Sequence, residues 1–110
     1  MLKKITKKAT FFTHNDKSID CNGTHLQGSI TATYAELKAL FGKPHDGDGY
    51  KVDAEWEIEF ADGTVATIYN WKNGKNYNGS IGIPKTKITD WHIGGNDKKV
   101  IQKLKELLRE

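Results

Sequence analysis

The string Asp90-Trp91-His92-Ile93-Gly94-Gly95-Asn96-Asp97-Lys98 concentrates more chemistry than any other run in this 110-residue chain. An indole can stack on a base, and an imidazole can bond a phosphate or a carbonyl. Glycines let a ligand approach the backbone, and the helix start that follows them attracts anions. Two readings stand: Trp91, His92, Gly94 and Gly95 border a ligand, or the glycines let the chain turn sharply between packed elements. A second run, Tyr69-Asn70-Trp71-Lys72, leads into an Asn-rich loop that carries Tyr77. Aromatic rings beside Lys and Asn suit a nucleotide or a peptide. The expected ligand site is therefore Trp91, His92, Gly94 and Gly95 with Asn70, Lys72 and Tyr77 as neighbours.

The other polar groups compose no catalytic set. Glu55, Glu57 and Glu59 share a strand face, whereas acid–base chemistry needs carboxylates converging from different elements. His14, His25, His45 and His92 lack metal-ligand spacing among themselves or with Cys21, so no metal and no cofactor are expected. Asp46-Gly47-Asp48-Gly49-Tyr50 opens like a calcium loop, but Tyr50 stands where the third oxygen ligand belongs. Cys21 has no pattern of a nucleophile around it. No phosphate-cradling glycine loop, nucleophile elbow or dinucleotide fingerprint occurs, which argues against an enzyme.

The elements that must position these residues are legible in part. Thr33-Tyr34-Ala35-Glu36 has the spacing of a capping box, and Tyr34, Leu37, Leu40 and Phe41 follow at helical intervals. Gly42 and Pro44 end that helix, predicted over residues 34–41. Ala54, Trp56, Ile58 and Phe60 alternate with Glu55, Glu57 and Glu59, the period of a strand with one buried face. Asp62-Gly63 reads as a two-residue type I′ turn. It pairs Phe60 with Val65, Ile58 with Thr67, Trp56 with Tyr69 and Ala54 with Trp71, sending Tyr69 and Trp71 to the core. Residues 10–13 and 25–31 read as strands, and Ser18 to Cys21 reads as a further extended stretch before the Asn22-Gly23 turn. Lys87 to Ile93 reads as a last strand broken by Gly94-Gly95. A final helix capped by Asn96 or Asp97 follows, with an apolar stripe of Val100, Ile101, Leu104, Leu107 and Leu108. The expected fold is α+β: a single domain over residues 1–110, an antiparallel sheet with a central hairpin, and two helices packed on one face.

Charge separates along the chain. Residues 46–62 hold seven acids against Lys51, six units negative, while the rest is nine units positive, so the net charge is +3. Such a bipolar chain favours self-association. Arg109 is the one arginine, which argues against sequence-specific DNA recognition. The apolar runs are too short to span a bilayer. The lone Cys21 and the lack of a secretory signal fit a reducing cytoplasm.

Three strings carry a resemblance. Thr33-Tyr34-Ala35-Glu36-Leu37 with Phe41-Gly42-Lys43-Pro44, Ala54-Glu55-Trp56 through Asp62-Gly63-Thr64-Val65-Ala66-Thr67-Ile68-Tyr69, and Asp90-Trp91-His92-Ile93-Gly94-Gly95 resemble a family of small uncharacterised bacteriophage proteins. The likeness covers roughly residues 24 to 110 and brings no catalytic residues with it. It implies production in the cytoplasm of a bacterial host. Small phage proteins without enzymatic motifs are often counter-defence factors, and the resemblance implies such a role here by analogy. The leading expectation is a non-enzymatic counter-defence protein that sequesters a cyclic nucleotide immune signal as a homo-oligomer. The alternatives are a protein–protein inhibitor of a host defence complex, with the acidic hairpin as a nucleic-acid mimic, or an accessory phage protein without a ligand.

Overall fold

A computed structural model describes residues 10–109. The chain order is β1 (Phe11–Thr13), β2 (His25–Thr31), α1 (Tyr34–Phe41), β3 (Glu55–Phe60), β4 (Val65–Tyr69), α2 (Lys75–Asn78), β5 (Asp90–Gly95) and α3 (Lys99–Arg109). Two 3₁₀ turns, Gly79–Ile81 and Lys85–Lys87, separate α2 from β5. The strands form one antiparallel sheet in the order β1-β3-β4-β5-β2. This is the expected α+β fold. The residues expected to extend between Ser18 and Cys21 form no strand, and β1 and β2 lie at opposite edges of the sheet.

Helix α1 starts and stops as its residues dictate. The Glu36 N–H donates to the Thr33 hydroxyl at 3.0 Å, and the Thr33 N–H donates to the Glu36 carboxylate at 2.8 Å. Two of the helix's unpartnered donors are thus satisfied reciprocally. The chain leaves at Gly42 with φ +84°, which an L residue resists.

The β3–β4 hairpin departs from expectation by one residue. Phe60 donates to the Thr64 carbonyl at 2.8 Å, and Gly63 donates to the Phe60 carbonyl at 2.9 Å. The loop is therefore Ala61-Asp62-Gly63, a turn closed by glycine at φ +91°. The pairs become Glu59 with Val65, Ile58 with Ala66, Glu57 with Thr67, Trp56 with Ile68 and Glu55 with Tyr69. A slip of one residue sends every β4 side chain to the other face. Ala66 and Ile68 join the core, and Tyr69 joins the glutamates.

One face of the sheet carries Trp56, Ile58, Phe60, Ile68, Trp91 and Ile93 against Leu37 and Phe41 of α1 and Val100, Leu104 and Leu107 of α3. The two indoles meet edge to face at 5.4 Å. Each ring nitrogen donates to a carbonyl, Trp56 to Gly42 at 2.7 Å and Trp91 to Ala32 at 2.9 Å. Such pairing offsets the cost of burying an indole N–H. Among the described residues no helix is long and apolar enough to cross a membrane.

Candidate functional site

Four of the seven expected ligand residues are structural. Trp91 is 0% exposed and faces the helices, so it offers no stacking surface. Gly94 and Gly95 do not break the last strand. They pair with β4 on one side and β2 on the other. A Cβ on Gly95 would come within 2.7 Å of the Val100 side chain. Glycine here brings α3 close to the sheet. The final helix begins later than expected, at Lys99, whose N–H donates to the Asp97 carboxylate.

Asn70 is also 0% exposed. Its Oδ1 accepts from the Asp53 and Ala54 N–H groups at 2.7 and 3.1 Å. Its Nδ2 donates to Asp53 at 2.9 Å and to Asn73 at 3.1 Å. A buried amide with every partner found acts as a clamp between two loops.

Those loops carry the other expected residues. On one of them the Asp48 carboxylate accepts from the Tyr50, Lys51 and Val52 N–H groups. The hydrogen bond from Tyr50 is the main cause that holds its pKa below the ordinary value. On the other, Lys72 donates its N–H to the Lys51 carbonyl at 2.8 Å. Lys72 has φ +60°, the one non-glycine residue with positive φ among the described residues. Its ammonium lies 5.6 Å from the Trp71 ring and 5.5 Å from the Tyr77 ring. Lys51 lies 5.5 Å from the same indole and 6.0 Å from Tyr50. Tyr50 and Tyr77 stand 5.3 Å apart. The result is an exposed surface of alternating rings and ammonium groups, with Trp71 39% and Tyr50 56% accessible. Trp71 is thus not a core residue, as the two-residue turn had required.

The row of rings continues onto the open face of the sheet. Tyr69 contacts Trp71 at 6.2 Å and His92 at 5.7 Å. Of the expected site residues, the fold brings Lys72, Tyr77 and His92 into this row. Tyr50 and Lys51 were missed because they follow a loop that reads as a plain turn. Between Gly49 and Asn76 opens a groove of about 560 Å³, lined also by Lys75, Lys85 and Thr86.

A second cluster was not legible in spacing. His45 pairs with Glu55 in an isolated two-residue bridge, with backbone hydrogen bonds of 2.9 and 2.8 Å. Its Nε2 lies 3.1 Å from a Glu57 oxygen. One ligand atom each from His45, Glu55 and Glu57 falls within 4.8 Å of the others. The His14 ring stands 4.9 Å from that of His45. Cys21 lies beside Glu57, and burial first, then the charges of Glu57 and Glu55, push its thiol up to about 11. At neutral pH it is a protonated, unreactive thiol. Burial likewise holds the Glu55 carboxyl above its ordinary range, with the Glu57 charge adding to the effect and His45 opposing it. Two other acids of the hairpin have basic partners: Glu59 pairs with Lys17 at 3.0 Å, and Asp62 with Lys103 at 2.8 Å.

No protein-family model matches the chain, and no curated protein matches it.

Proposed function

We propose that the protein is a non-enzymatic binding module for an anionic, base-bearing ligand, with a cyclic nucleotide as the favoured class. The observation that carries this reading is the Lys72 ammonium over both Trp71 and Tyr77 on an exposed surface. A non-glycine residue held in the left-handed region costs on the order of 1–2 kcal/mol, and such strain clusters at functional sites. Rings supply stacking faces for bases, and the lysines supply charge for phosphates. The adjoining groove sets Lys75 and Lys85 beside Asp46 and Asp53, so the charge for a phosphate comes from Lys51 and Lys72. In the bacterial host that the resemblance implies, such binding would sequester an immune signal and so counter the host's defence.

The rival use of the acidic hairpin as a nucleic-acid mimic has less support, because Glu59 and Asp62 already face lysines within the chain. Self-association belongs to the proposal through β2, whose outer edge has no partner strand among the described residues. Light scattering that returns the monomer mass at tens of micromolar removes that part.

Titration with cyclic di- and trinucleotides, read by tryptophan emission and melting temperature, tests the site. Trp56 and Trp91 are fully buried, so a stacked base quenches Trp71 selectively. Bound ligand raises the melting temperature by mass action. Trp71→Ala costs about 1–3 kcal/mol of binding, and Lys72→Ala weakens binding in a salt-dependent way. If no nucleotide changes emission or melting, the reading fails. If only single-stranded DNA binds, the cyclic-nucleotide class fails and the stacking surface stands.

A further inference from the structure

We infer that His45, Glu55 and Glu57 form a binding site for a divalent transition-metal ion. The inference stands apart from the aromatic surface and does not depend on its ligand. Glu55 and Glu57 are two residues apart on β3, so their side chains leave the same face. The bridge sets His45 directly opposite Glu55, and opposed residues in an antiparallel pair share a face. Backbone register therefore converges the three donors. The His45 Nε2 and the Glu57 oxygen are 3.1 Å apart. Two donors each about 2.0–2.1 Å from one ion, at octahedral to tetrahedral angles, stand roughly 3.0–3.4 Å apart.

The charges of this cluster lack balance. Both carboxylates are half-buried. Lys17 pairs with Glu59, not with either of them. Glu57 faces only the His45 ring among charged side chains, and the Glu55 carboxylate accepts no hydrogen bond among the described residues. The Asp48 carboxylate adds further negative charge to the surroundings of Glu55. A divalent cation supplies what is missing. One imidazole nitrogen and two carboxylate oxygens suit zinc or manganese, and the imidazole disfavours magnesium and calcium.

The surroundings specify what loading must change. The Gly47 N–H donates to His45 Nδ1 at 3.0 Å, which leaves the ring proton on Nε2, facing Glu57. A metal on Nε2 takes that proton's place. The proton moves to Nδ1, and the Gly47 N–H must turn away from the ring. His14 braces the ring from the side, with its own Nδ1 accepting from the Glu57 N–H and its Nε2 donating to the Lys43 carbonyl. Both His14 nitrogens are thus occupied and give no ligand.

The experiment is calorimetric titration of chelator-treated protein with Zn²⁺, Mn²⁺, Mg²⁺ and Ca²⁺, with melting curves and amide spectra beside it. One Zn²⁺ per chain is expected, with a raised melting temperature and a shifted Gly47 amide resonance. Glu55→Gln should lower Zn²⁺ affinity at least about tenfold, while the metal-free variant melts at or above the wild type because like charges have been separated. Glu59→Gln and Cys21→Ser should bind as the wild type does. The inference is overturned if wild-type protein takes up no Zn²⁺ or Mn²⁺, or if Glu55→Gln binds undiminished. Loss of binding in Cys21→Ser with retention in Glu55→Gln also overturns it, since the metal then sits on the thiol.

Discussion

The three tryptophans divide the molecule into two regimes. Trp56 and Trp91 sit on the helix-covered face, fully buried, each with its N–H donated to a backbone carbonyl. Trp71 sits past the end of β4, exposed, between two ammonium groups, and its ring N–H donates no hydrogen bond among the described residues. The difference is one of saturation. A side chain whose every atom has a protein partner holds the fold. One that keeps exposed surface and an unpaired donor retains the means to meet something else.

The comparison breaks most visibly by truncation. Trp91→Ala should cost about 3–5 kcal/mol in denaturant unfolding, the range for emptying a buried aromatic, whereas Trp71→Ala should cost under about 1 kcal/mol. Equal costs would mean that Trp71 is core after all. Asn70→Ala should come next, at about 1–3 kcal/mol for each amide it leaves unpaired. Because Asn70 ties together the loops of Tyr50 and Trp71, this variant should also shift the Trp71 emission, a change absent from a purely global loss. Gly95→Ala should cost about 1–3 kcal/mol, since the new methyl presses on Val100.

Lys72→Gly sharpens the contrast because its two effects have opposite signs. Relief of φ +60° should raise stability by up to about 1 kcal/mol, while nucleotide binding falls. A variant that loses stability would show that the lysine serves packing.

The smallest effects are in pH. Glu55 has a raised folded pKa, so the native state holds its proton more firmly than the unfolded chain does. Stability then declines as pH rises from the ordinary carboxylate range through that raised value. Asp62 is opposite. Its hydrogen bond with Lys103, then those from Thr64, lower its pKa, so its contribution is present above the ordinary value and disappears as pH falls towards the folded one. Unfolding of Glu55→Gln and Asp62→Asn across pH 3–7 should remove these two slopes separately.

Sequence reasoning worked where one local device decides the outcome. The Thr33–Glu36 box with Gly42 fixes α1 at both ends, and the Trp56–Phe60 alternation fixes which face of β3 is buried. It failed where local signals were symmetric. Val65-Ala66-Thr67-Ile68-Tyr69 has strand formers on both faces, so nothing in β4 contradicts a register one residue off. Gly94-Gly95 has no side chains to show a period, and a pair of glycines reads as a break even where it forms the last two residues of a strand. Asn70 looked like a ligand residue because a buried, fully satisfied amide has the same sequence signature as an exposed one. The His45 cluster joins positions ten and twelve residues apart through a single bridge, which no helix or strand period announces.

The β3–β4 hairpin responds differently to length changes in its loop and in its strand. Ala61 and Asp62 are exposed, so exchanging a side chain at Ala61 disturbs little. Deleting Ala61 would leave Asp62-Gly63 as a two-residue turn that still sets Phe60 opposite Thr64 and Glu59 opposite Val65, so the register survives. Deleting Val65, two residues further on, would instead keep the turn and draw the rest of β4 back by one. Thr67 would then stand opposite Ile58 and Tyr69 opposite Trp56, under the helices, while Ala66 and Ile68 would turn outward. One codon's removal there acts on every residue downstream in the strand, as a frameshift does on a message, while the composition of the chain is almost unchanged.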